Sequence, residues 1–156
     1  MIAALAPKAD PGWSYSLQLP NNLRCAGVAR VALRAMLAAH GRPELTEVAE
    51  LLASELVGNA LEYSDGVVTL RVHWREETLR LAVFDDSAEP PVYEAVDPAE
   101  SERGRGMHLV RELAEDWGYY LVGEEILGVS GKLVWCDIGT ETSTGTDAGT
   151  GATRRW

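Results

Sequence analysis

The chain has 156 residues, the size of one ordinary domain, and 46% of them are apolar, enough to bury a sizeable core. A formal charge of −10 argues against a nucleic-acid phosphate surface or an anionic membrane as the natural partner and leaves metal-chelated nucleotides and other proteins. No apolar run approaches the roughly 18 residues a membrane span needs, and residues 1–11 lack the basic region of a signal peptide. Only two cysteines occur, Cys25 and Cys136, far apart and without a metal-binding spacing; buried, reduced thiols fit a cytoplasmic protein. The three histidines, His40, His73 and His108, stand alone, so zinc has no support.

In chain order, residues 1–13 read as a flexible N-terminus and residues 14–19 as a short strand ended by Pro20. Asn21 or Asn22 can cap a helix through Ala39, with Val28, Val31, Ala32, Ala35, Met36 and Ala39 on its buried face. Gly41-Arg42-Pro43 breaks it, and a second helix over residues 44–63 stops at Ser64-Asp65-Gly66. Residues 67–74 and 78–84 are strands rich in Val, Leu and Thr, joined as a hairpin by the polar Arg75-Glu76-Glu77. Residues 85–103 form a long polar stretch with three prolines, a length more typical of a functional loop or lid than of a plain connection. Residues 104–117 read as a helix opened by glycines, and residues 119–123 and 132–138 as closing strands. Residues 140–156 are too poor in apolar groups to order themselves and read as a disordered tail. This order predicts an α+β fold: a two-layer sandwich of a mainly antiparallel mixed sheet covered on one face by helices, spanning residues 14–139.

The second helix carries the first chemical signal. At about 100° per residue, Leu45, Val48, Ala49, Leu52 and Leu56 share a stripe toward the sheet. Glu55 and Asn59, one turn apart, fall on or beside it, and an acid and an amide there are costly to bury unless paired or used. Either both side chains escape to water at the stripe's edge, or the pair holds a hydrated Mg²⁺ and orients a nucleophile. Asp85 closes the third strand; it is either a turn-forming aspartate or an acceptor for an adenine amino group. Gly104-Arg105-Gly106 opens a helix, where free backbone N–H groups and the helix dipole favour phosphate, although glycine also serves any tight turn. Gly128-Val129-Ser130-Gly131-Lys132-Leu133 is not a Walker A loop, because its glycine spacing is wrong and Leu133 stands where a hydroxyl should bind magnesium.

Taken together, Ser54-Glu55-Leu56-Val57-Gly58-Asn59-Ala60, Val83-Phe84-Asp85, Gly104-Arg105-Gly106 and Gly131-Lys132-Leu133-Val134-Trp135 occur in an order that resembles the GHKL (Bergerat-fold) ATPases. Within them the chain most resembles the anti-sigma serine/threonine-protein kinases of actinomycetes, over residues 15–138. The resemblance implies that ATP and Mg²⁺ are bound, with Asn59 ligating the metal, Glu55 as general base toward a serine hydroxyl, and Asp85 reading the adenine. It implies that Gly104 and Gly106, with Arg105, cradle the phosphates, and that Arg103 or Arg105 neutralises charge on the departing phosphoryl group. It further implies a sigma factor and an anti-anti-sigma antagonist as partners, and a homodimer. Two motifs depart from the family pattern. The Asp-x-Gly-x-Gly box reads Asp85-Asp86-Ser87-Ala88-Glu89, without either glycine, and the late Gly-x-Thr reads Gly131-Lys132-Leu133. These departures favour a rival, a non-catalytic interaction module that kept the fold and lost the nucleotide. The catalytic domain of a two-component histidine kinase is disfavoured, since no phosphoacceptor helix pair is visible.

Overall fold

A computed structural model describes residues 11–87, 89–91, 105–123 and 130–140. Five strands, β1 (Trp13–Leu19), β2 (Val68–Arg75), β3 (Thr78–Asp85), β4 (Asp116–Val122) and β5 (Gly131–Gly139), form one sheet in the order β1-β2-β3-β5-β4. Every pairing among them is antiparallel. Three helices, α1 (Cys25–Ala39), α2 (Thr46–Tyr63) and α3 (Arg105–Leu113), make the second layer. The α+β two-layer arrangement expected from the element order is the one observed, and no helix among the described residues is long and apolar enough to cross a membrane.

The core lies between the layers. Alternation sends Val68, Leu70, Val72 and Trp74 of β2, and Leu79, Leu81 and Val83 of β3, toward the helices. From β5 come Val134, Cys136 and Ile138. The hairpin between β2 and β3 closes on Glu76 and Glu77, both with positive φ (49° and 59°), the geometry that matches the twist of the strands. Both cysteines are buried and free, and burial pushes the Cys136 thiol far up, so it stays protonated and inert.

Three expectations are corrected. The buried face of α1 is Cys25, Ala29, Leu33 and Leu37, whereas Val28 and Val31 are 50% and 62% exposed. The helix is apolar on two adjacent stripes, and packing against α2 selects the one carrying the leucines. The third helix ends at Leu113 rather than running through Trp117, which belongs to β4. After Ala114 closes the last helical turn on the Val110 carbonyl, the Glu115 N–H donates to the Asp137 carbonyl and draws the chain into the sheet. Gly118 then lets β4 lie close over the Trp135 indole, where a Cβ would come within 3.0 Å of the ring. The second helix begins two residues later than expected, because Pro43–Leu45 forms a separate 3₁₀ turn.

Candidate functional site

The long helix α2 supplies the acid and the amide. Its buried residues run Ala49, Leu52, Ala53, Leu56, Val57, Ala60 and Leu61, as the stripe predicts but wider, because α2 packs against α1, α3 and the sheet together. Arg30 donates from α1 to the Ser54 hydroxyl at 3.0 Å, and Arg34 pairs with Glu50 at 2.6 Å. These contacts place α1 on one flank of α2. Glu55 and Asn59, at about 100° per residue, lie on the other flank, at the margin of the buried arc. Both are half-buried rather than free in water. Burial lifts the Glu55 carboxyl above the ordinary glutamate range, the direction that makes a carboxylate a better proton acceptor.

At the helix-side end of the sheet, Asp85 and Lys132 face each other as register partners of β3 and β5. They continue the inward alternation of Val83 and Val134, so both project into the interlayer space, and each is only 1% exposed. The Lys132 ammonium donates to Asp85 Oδ1 at 3.2 Å, and the backbone N–H of Ser87 donates to the same oxygen at 2.8 Å. The ammonium also lies 2.9 Å from Oδ2, close enough for an ion pair but badly angled for a hydrogen bond. Oδ2 is thereby one of two buried side-chain polar atoms without a hydrogen bond among the described residues, the other being the Trp135 indole Nε1. Burial, outweighing the lowering influence of Lys132 and the Ser87 N–H, raises the Asp85 carboxyl above its ordinary value. Gly131 permits this approach of β5, since a Cβ there would collide with the Asp85 carbonyl oxygen.

The residues after Asp85 manage their turn without the two family glycines. Ser87 uses Asp85 as an acceptor, and the Glu89 N–H donates to the Ser87 hydroxyl at 3.3 Å, so side-chain oxygens stabilise the turn. Glu89 itself is exposed. The Ser64 hydroxyl at the end of α2 hydrogen-bonds Asp86, and Asn21 donates to the Ser64 carbonyl, tying the helix end to the strand end. Of the two roles left open for it, Asp85 fills that of turn former, and its Oδ2 makes no hydrogen bond but lies in the Lys132 ion pair.

Of the glycine box, Arg105 and Gly106 form the first turn of α3, and Met107 and Val110 are wholly buried, so the helix N-terminus is held to the core. Arg103 and Gly104 lie outside the described residues, as do residues 1–10 and 141–156 and most of the expected lid. His108 sits on the exposed face of α3, 3.0 Å from Glu112. Glu55 and Asn59 lie on α2, which packs against α3 and against β3, the strand that Asp85 ends.

Lys132 is the residue that sequence reasoning missed. The signal was present: Lys132, Val134, Cys136 and Ile138 alternate on one face, and a lysine there is a lone charge on a buried stripe. A surface cavity of about 580 Å³ lies at the opposite end of the sheet, lined by Trp13, His73 and Trp74 among others, and touches none of these groups.

These groups suit a magnesium nucleotide. A bare buried acceptor at Asp85 matches an N–H-bearing base edge, and the Asn59 amide is a suitable oxygen donor for a metal that needs one or two protein ligands besides phosphates and water. The N-terminus of α3 is suited to negative charge. No curated protein matches the chain. The family model of the histidine kinase-like ATPase domain matches residues 19–129, which take in α1, α2, β2, β3, α3 and β4. With more than half its length inside that model, the chain belongs to the histidine kinase-like ATPase family.

Proposed function

We propose that the protein is an ATP-binding regulator, an anti-sigma factor that phosphorylates a serine of an antagonist protein and binds a sigma factor in the cytoplasm. The single observation that carries the catalytic part is Glu55. It is held half-buried on the flank of α2 that α1 leaves open, one turn from Asn59, with its carboxyl raised by desolvation.

Bound Mg-ATP supplies the phosphoryl group and the metal charge that offsets its oxygens. The chain's own work is positioning. Glu55 accepts the proton of the incoming serine hydroxyl on a carboxylate oxygen, and partial desolvation favours that transfer. Asn59 offers its amide oxygen to the metal. Asp85 holds the base through Oδ2, and the backbone N–H groups of the first turn of α3 face phosphate charge. Arg103 or Arg105 neutralises the charge of the leaving phosphates. Antagonist and sigma factor dock as separate proteins, and a homodimer of this chain presents them with two sites.

A second reading has its own support. Ser87 and Glu89 replace the two family glycines, and Lys132 already occupies part of Asp85, which favours an interaction module without nucleotide. Calorimetric titration with ATP and Mg²⁺ separates the two. Saturable heat supports the regulator, and a flat trace at millimolar nucleotide leaves the module. Once the cognate antagonist is recovered from native cytosol, Glu55→Ala should retain ATP binding and lose phosphoryl transfer by about 10²- to 10⁴-fold. Undiminished transfer would remove Glu55 from the role of base.

A further inference from the structure

We propose that Lys132 is a second base-reading residue, which donates to N1 of an adenine whose exocyclic amino group donates to Asp85 Oδ2. The proposal rests on the nucleotide reading of the site and deepens it, since it assigns the base specificity to a pair of side chains.

Lys132 and Asp85 are each 1% exposed, yet the one hydrogen bond between their side chains runs from Nζ to Oδ1. The Ser87 N–H takes Oδ1 as well, so that oxygen accepts two hydrogen bonds while Oδ2, 2.9 Å from the ammonium in the ion pair, accepts none. An ammonium has three N–H groups, and Asp85 is its one hydrogen-bond partner among the described residues. A bare buried acceptor and under-used donors, side by side, are costly if nothing else ever meets them. A pair built only for stability looks different. Five register positions away on the same two strands, Arg80 holds Asp137 by two hydrogen bonds, 2.7 and 2.8 Å, one to each carboxylate oxygen.

The unmet groups have an order, acceptor then donor, that chemistry can match. The Watson–Crick edge of adenine presents a donor at N6 next to an acceptor at N1. Guanine in the same pose presents O6 and N1–H, which would set oxygen against the carboxylate and N–H against the ammonium. With Oδ1 occupied, Asp85 also lacks the two free acceptors that the N1–H and amino group of guanine would require. Because the pair is desolvated, each mismatched contact discriminates more strongly than it would in water.

Calorimetric titration of the unmodified protein with ATP, GTP and 1-deaza-ATP, in which N1 is replaced by C–H, tests the proposal without any variant. ATP should bind about tenfold tighter than 1-deaza-ATP, the loss expected for a hydrogen bond from a charged donor, and GTP should bind more weakly than ATP. In Lys132→Met, ATP and 1-deaza-ATP should bind alike. Equal affinity for ATP and 1-deaza-ATP in the unmodified protein, with ATP still bound, overturns the role of Lys132 and leaves the nucleotide site standing. GTP binding as tightly as ATP overturns it too. No binding of any of the three removes the nucleotide site and the base reader together, and makes the pair structural.

Discussion

Two acid–base pairs cross from β3 to β5, and they handle buried charge in different ways. Arg80 and Asp137, on the sheet face away from the helices, meet as a fork on a carboxylate, with the guanidinium 4.2 Å over the Trp135 ring. Both carboxylate oxygens are used, and a planar cation suits both partners at once. Asp85 and Lys132, on the helix side, put a point charge beside a carboxylate, so that one oxygen accepts two hydrogen bonds and the other has only the ion-pair contact at 2.9 Å. The strands are the same, but the first pair is less deeply buried and lies on the opposite face, so the difference lies in the side chains and in what surrounds them. Complete hydrogen bonding marks the first pair as architecture. Incomplete hydrogen bonding, at a strand end beside α2, is what the base contact proposed above would complete.

That contrast can be broken at several points. The largest effect should come from Asp137→Ala, which strands a guanidinium on the sheet. We expect a loss of about 3–5 kcal/mol in denaturant unfolding, with nucleotide affinity unchanged in whatever fraction stays folded. A loss below about 1 kcal/mol would show that the fork contributes little. Next, the double replacement Asp85→Leu with Lys132→Met removes both charges and an unmet acceptor, so stability should stay within about 1 kcal/mol of the parent or rise, while ATP binding disappears. A large loss of stability would mean that this pair, too, is architecture.

A smaller effect is carried by pH. Burial raises the Asp85 carboxyl, so the folded state keeps its proton to higher pH than the unfolded chain does. The contribution of this group to stability is therefore fully present below the ordinary aspartate value and is lost as pH rises through the raised one. Asp85→Asn cannot titrate, so the parent's stability relative to this variant should decline as pH rises above the ordinary aspartate value. A difference that stays flat across that window would contradict the raised value. The smallest expected change is at the hairpin. Glu77 holds a φ of 59°, and Glu77→Gly should gain up to about 1 kcal/mol by relieving it, less what is lost with the 3.2 Å Arg42 contact. A drop in melting temperature would show that the Arg42 contact outweighs the backbone relief.

Much of the architecture was legible from pattern alone. The β2–β3 hairpin, the two long helices and the final strand were visible because period-2 and period-3.6 alternation express one-sided burial directly. The α1 face was not, since Val28 and Val31 compete with Leu33 and Leu37 at similar spacing and the choice depends on α2. The end of α3 was misplaced for a related reason. Trp117 suits a helix or a strand equally well, and the hydrogen bond from Glu115 to Asp137 that decides between them joins residues far apart in sequence.

The site divides in the same way. By itself the chain determined that an acid and an amide sit one turn apart on a largely apolar helix, and that an aspartate ends a buried strand. Those are local facts, set by the rise and twist of a single element. Only the tertiary structure decided that Glu55 and Asn59 lie on the flank away from α1, and that Asp85 shares its burial with Lys132. Both outcomes depend on which strands and helices become neighbours, and a residue 47 positions away enters no local periodicity.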